Sequence, residues 1–80
     1  MEMTLAFVLL AVRVGSEKAV IKKLLEYIEV EDAHILFGEY DIILKVNSND
    51  NNSLQSFILE KVRSITDIEQ TSTLISAEIV

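Results

Sequence analysis

Residues 5–12 are apolar at every position, and that run constrains the fold more than any other feature of the chain. Successive strand side chains point to opposite faces of a sheet. Ala6, Val8, Leu10 and Val12 therefore make one apolar face, and Leu5, Phe7, Leu9 and Ala11 make the other. A strand of this kind sits centrally in a sheet and needs cover on both sides. The 80 residues read as a single domain, 1–80. A domain of that size buries only about 60–65% of the surface its unfolded chain exposes. Half of the chain is hydrophobic, so some apolar surface must find its cover on another molecule. The expectation is an oligomer.

The rest of the pattern supplies the other elements. Residues 4–14 read as the first strand, broken by Gly15-Ser16, with Ser16 as a helix N-cap and Glu17 in the first turn. Val20, Ile21, Leu24, Leu25 and Ile28 recur at helical spacing, while Lys18, Lys22, Lys23 and Glu26 point away. Residues 30–37 read as a strand with Ala33, Ile35 and Phe37 on one face and Asp32 and His34 on the other. Gly38-Glu39 forms a short turn, and residues 40–46 run back to close a hairpin. Residues 47–53 make a polar loop whose last members cap a second helix, striped by Leu54, Phe57, Ile58, Val62 and Ile65. Residues 68–80 are β-rich, with Thr71, Thr73, Ile75, Ala77 and Ile79 alternating with Ser72, Leu74, Ser76 and Glu78. The order βαββαβ predicts a ferredoxin-like α+β fold: an antiparallel four-stranded sheet with two helices on one face. A second copy packed sheet against sheet would cover the open face, giving a dimeric α/β sandwich.

Charge and composition exclude several function classes. Seven Lys and Arg stand against thirteen Asp and Glu, a net charge of −6. Nucleic-acid binding draws most of its affinity from cations on phosphates, so no direct contact with DNA or RNA is expected. The absence of cysteine excludes disulfides, thiolate metal sites and thiol nucleophiles. The longest apolar run falls far short of the ~20 residues of a membrane span. The opening Met1-Glu2 lacks the basic start of a signal peptide. A cytoplasmic protein without a membrane partner is expected. Phosphate-loop, dinucleotide, nucleophile-elbow and zinc-helix patterns are all missing. His34, the single histidine, has no identifiable nucleophile to activate and makes a poor metal site alone. No catalytic residue, metal or cofactor is therefore expected, and the chain does not read as an enzyme.

Two segments carry chemistry suited to a small ligand. Gly38-Glu39-Tyr40-Asp41 combines a residue free to adopt positive φ, hence exposed amides, with an aromatic ring and carboxylates. Thr71-Ser72-Thr73 places three hydroxyls at the start of the last strand. Each has an ordinary structural reading, as a turn and as good strand residues. Together they hold an acceptor for an ammonium and donors for a carboxylate, the two needs of a free amino acid.

The same residues carry a family resemblance. Gly38-Glu39-Tyr40-Asp41, followed by the apolar Ile42-Ile43-Leu44-Lys45-Val46, resembles the G-x-Y-D motif of the Lrp/AsnC ligand-binding domain, also called the RAM domain. Ile68-Glu69-Gln70-Thr71-Ser72-Thr73 is similar to its V-x-x-T-x-T. The chain departs from the pattern at Asp67, where the family usually has Gly, which bears on the turn before the last strand. The resemblance implies sheet-to-sheet dimers assembled into rings such as octamers, with amino-acid effectors at dimer–dimer junctions. It implies an effector site of Gly38, Glu39, Tyr40, Asp41, Thr71, Ser72 and Thr73, with Asp41 on the ligand ammonium and amides near Gly38 on its carboxylate. A full-length Lrp/AsnC regulator is the implied partner, because a strand that starts by Thr4 leaves no room for a preceding helix-turn-helix domain. Two rivals share the topology. An ACT-type amino-acid sensor would place its ligand by Gly15, and a dimeric α+β-barrel enzyme would use His34 within a cleft.

Overall fold

The computed structural model describes residues 3–77. Strand β1 (Thr4–Val12) is followed by helix α1 (Glu17–Leu24) and strands β2 (Val30–Ile35) and β3 (Ile42–Ser48). Helix α2 (Asn51–Phe57) runs on as a π-helical segment (Ile58–Val62), and β4 (Ile68–Ile75) completes the fold. The sheet has the order β2-β3-β1-β4 with every pair antiparallel. This is the expected ferredoxin-like α+β fold, with β1 central. The predicted continuation of the last strand to residues 78–80 lies outside the described residues.

The two apolar faces of β1 meet different fates. Ala6, Val8 and Leu10 are wholly buried, beside Ile42, Leu44 and Val46 of β3. Val20 and Leu24 from α1, with Leu54, Phe57, Ile58 and Val62 from the second helical stretch, complete this core. Each fully buried Val or Leu side chain contributes about 1.5–3 kcal/mol relative to exposure. On the other face Leu5, Phe7, Leu9 and Ala11 are only half-buried. Their cross-strand neighbours there include Ile43 and Lys45 of β3 and Leu74 of β4, the last 55% exposed. Within one chain the helices satisfy a single face.

Local chemistry shifts several expected boundaries. Helix α1 stops at Leu24, so Leu25 is half-exposed and Ile28 almost fully exposed, against the predicted apolar stripe. The chain tightens there, with Glu26 N–H donating to the Lys23 carbonyl and Tyr27 N–H to that of Leu24. Tyr27 then packs edge-on against Phe57, with ring centroids 5.7 Å apart, in place of the projected Ile28. The Ser16 hydroxyl donates to the Arg13 carbonyl (2.6 Å) and makes no side-chain cap on α1. Helix α2 begins at Asn51, inside the predicted 47–53 loop, and its cap is Asp50, not the loop's last members: Asp50 Oδ1 accepts the Ser53 N–H at 2.7 Å. Asp50 is thereby held below the ordinary aspartate value of 3.8, chiefly by the Ser53 backbone amide. All five residues of the second predicted stripe are buried.

Candidate functional site

The hairpin turn is longer than predicted. β2 ends at Ile35 and β3 begins at Ile42, so Phe37 and Tyr40 belong to a loop at residues 36–41. Gly38 adopts φ +150°, a conformation that L side chains rarely take, although a Cβ there would meet nothing within 4 Å. The requirement for glycine is conformational, not spatial. The Asp41 carbonyl accepts the Leu36 N–H at 2.7 Å, and the Asp41 N–H donates to the Leu10 carbonyl at 2.8 Å. Asp41 Oδ2 accepts the Val12 N–H at 2.9 Å. The two carboxylates of the loop thus part company: Asp41 is half-buried against β1, whereas Glu39 is exposed. Tyr40, between them, is half-buried.

The hydroxyl run lies across β1 from this loop. Leu10 pairs with Ile42 on one side and with Thr71 on the other. Two strand spacings, about 10 Å, therefore separate the start of β3 from Thr71. Both segments lie at the same end of the sheet. Thr71 and Thr73 share the face of Leu10 and Val8, but Ser72, opposite Leu9, turns to the open face. The three hydroxyls do not form one donor set. Two shallow depressions of the helix layer, about 280 and 320 Å³, are lined by none of the seven candidate residues.

Asp67 shows how the turn before β4 closes without the glycine of the family pattern. Its carbonyl accepts the Arg13 N–H at 2.9 Å, and its carboxylate pairs with the Arg13 guanidinium. No described non-glycine residue has positive φ, so the turn needs no left-handed position. The end of β1 is held from both sides, by Asp41 through Val12 and by Asp67 through Arg13. No local sequence pattern records this clamp, because its residues are far apart in the chain; its one trace is Asp67 in place of the family's Gly. Two expectations fail at this end of the sheet: Phe37, expected on the strand face of Ala33 and Ile35, lies beyond β2 and is fully exposed, and Val14, expected to end the first strand, lies beyond β1 and is 95% exposed.

His34 is exposed on the open face of the sheet, its Nε2 3.1 Å from Asp32 Oδ2 and opposite Ile43. It lines neither helix-layer depression. Among the described residues no three His, Cys, Asp or Glu are grouped to hold a metal ion. No described helix is long and apolar enough to cross a membrane.

Comparison with known proteins decides the family. A sequence model described as the Lrp/AsnC ligand binding domain matches residues 5–80. The chain belongs to that family. The HTH-type transcriptional regulator FL11 of Pyrococcus furiosus is 35% identical over 71 residues, which cover 89% of this chain and 46% of that protein. The chain thus spans about half the length of the curated relatives it matches first. A solved hypothetical protein of Pyrococcus horikoshii is 39% identical with TM-score 0.89, the match covering 95% of this chain and 92% of that one. The AsnC structure from E. coli matches with TM-score 0.90 at 26% identity, over 95% of this chain and 52% of its own. An Lrp/AsnC ligand-binding domain related to transcription regulators is therefore the coarse functional description.

Proposed function

We propose that this Lrp/AsnC domain is a non-enzymatic module that senses an amino acid and assembles through its sheet. The observation that carries the reading is the gathering of the G-x-Y-D loop and the start of β4 at one end of the sheet, on either side of β1. In this reading the Asp41 carboxylate takes the ligand ammonium, amides near Gly38 take its carboxylate, and the hydroxyls of Thr71, Ser72 and Thr73 complete the site with a neighbouring copy. The division of the hydroxyls between two faces favours a site shared between copies, because Ser72 and Thr71 point to opposite faces of the sheet. The half-buried Phe7 and Leu9 support sheet-to-sheet dimers, and exposed Phe37 and Val14 support further assembly into a ring such as an octamer. Regulation would pass through co-assembly with a full-length Lrp/AsnC regulator that supplies the DNA contact.

A thermal-shift screen with the twenty amino acids tests the sensing part. Binding at 100 times Kd adds about 2.7 kcal/mol of stability. No shift with any of them at millimolar concentration defeats the amino-acid reading. With the best ligand, Asp41→Ala should weaken affinity by about ten- to a hundredfold, the value of a hydrogen bond to a charged group. Glu39→Ala removes the same charge from an exposed position, so it should cost well under 1 kcal/mol. Equal losses would reduce the effect to net charge.

A further inference from the structure

We infer that Asp41 is a positioning residue, a latch that fixes the distance between the two halves of the proposed site. β3 begins opposite Leu10, so Val12 lies two residues beyond the last β1–β3 pair and has no strand residue across from it on that side. A strand amide left there would have only water to bond. Asp41 Oδ2 supplies the missing acceptor at 2.9 Å, extending the ladder with a side chain where backbone has run out. On the other side the β1–β4 register shifts between Ala11 and Val12, so Glu69 is bulged out of the pairing. A bulge bends and twists its strand, and this one carries Thr71 and Thr73 two and four residues further on, so their placement depends on how the bulge is held. The Arg13–Asp67 contacts close that side. With Val12 tied to Asp41 and Arg13 tied to Asp67, the loop at residues 38–41 and the start of β4 become one rigid unit.

The two carboxylate oxygens then have separate duties. Oδ2 serves Val12, whereas Oδ1 accepts no hydrogen bond from a described residue and remains open. Assigning Oδ1 to a ligand ammonium rests on the proposed effector site; the latch itself does not. Asn keeps an acceptor for the Val12 amide but places an NH2 donor where the second oxygen stood. Ala removes both functions. The two variants therefore separate positioning from binding.

Amide hydrogen exchange followed by NMR on the free protein is the test, and it needs no ligand. In the unmodified chain the Val12 amide should be protected although no backbone carbonyl accepts it. Asp41→Ala should speed its exchange by about tenfold or more, the factor carried by a hydrogen bond to a charged acceptor. Asp41→Asn should retain most of the protection, and Glu39→Ala all of it. The amide resonances of Thr71 and Thr73 should move in Asp41→Ala and stay in Glu39→Ala. An unprotected Val12 amide in the unmodified chain overturns the latch even if Asp41→Ala does not fold. Unchanged exchange in Asp41→Ala, or shifts confined to the loop, overturns it as well. Failure of every amino acid to bind, with these exchange results intact, would defeat the effector site and leave the latch standing.

Discussion

Phe7 and Val8 are neighbours on β1 with opposite surroundings, and substituting each by Ala separates folding from assembly. Val8 is wholly buried beneath the helices. Val8→Ala removes two carbon atoms at about 0.8 kcal/mol each and leaves a cavity, for a total of about 2–3 kcal/mol. In a domain of this size each kcal/mol lowers Tm by about 4–8 °C, so a fall of about 8–24 °C is expected at any protein concentration. Phe7 is half-buried on the open face, opposite Lys45 and Leu74. Covering its remaining surface in a sheet-to-sheet dimer would contribute about 1–2 kcal/mol per copy, by the usual range for burying a large side chain. Two copies contribute about 2–4 kcal/mol, so Phe7→Ala should weaken dimerisation by about 30- to 700-fold. Sedimentation equilibrium reads the mass, and melts across about a hundredfold range of concentration read the coupling of assembly to stability. The unmodified chain should be at least a dimer at micromolar concentration, with a Tm that rises with concentration. That rise should be lost in Phe7→Ala and kept, from a lower start, in Val8→Ala. A monomeric unmodified chain, or a Phe7→Ala that lowers Tm at every concentration with no change in mass, would refute the assembly argument.

Other outcomes follow from single contacts. Asp50, held low by the Ser53 amide, stabilises the fold fully above the unfolded aspartate value of 3.8, and its contribution disappears as pH falls through the lower folded value. Asp50→Asn should keep the cap at neutral pH and flatten the acid limb of a Tm–pH curve, whereas Asp50→Ala should lose stability at neutral pH too. Arg13 is 69% exposed in its pair with Asp67, so Arg13→Ala should cost less than about 1 kcal/mol in urea denaturation, a difference that shrinks in molar salt. With a net charge of −6, the purified chain should give no sequence-selective mobility shift with duplex DNA at physiological salt. A selective shift would overturn the proposal that a partner supplies the DNA contact.

Much of this architecture was legible in the residues themselves. Alternation in residues 5–12 required a central strand with two apolar faces, and the stripe from Leu54 to Ile65 required a helix lying over one of them. These patterns are local, because a strand or helix writes its own period into the side chains that must be buried. The order of elements then limits the sheet to a few topologies, of which β2-β3-β1-β4 is one. The G-x-Y-D and T-x-T segments were visible for the same reason, as short runs of unusual chemistry. Their relation to each other was not. Only the register of β1 with both neighbours shows that Leu10 stands between Ile42 and Thr71, and that Ser72 turns away from Thr71 and Thr73. Only the tertiary structure starts β3 at Ile42, leaves the Val12 amide without a strand partner and brings the Asp41 carboxylate to it across 29 residues of chain. Hydrogen bonds at a sheet's end depend on where neighbouring strands stop, and no periodicity in either segment records that.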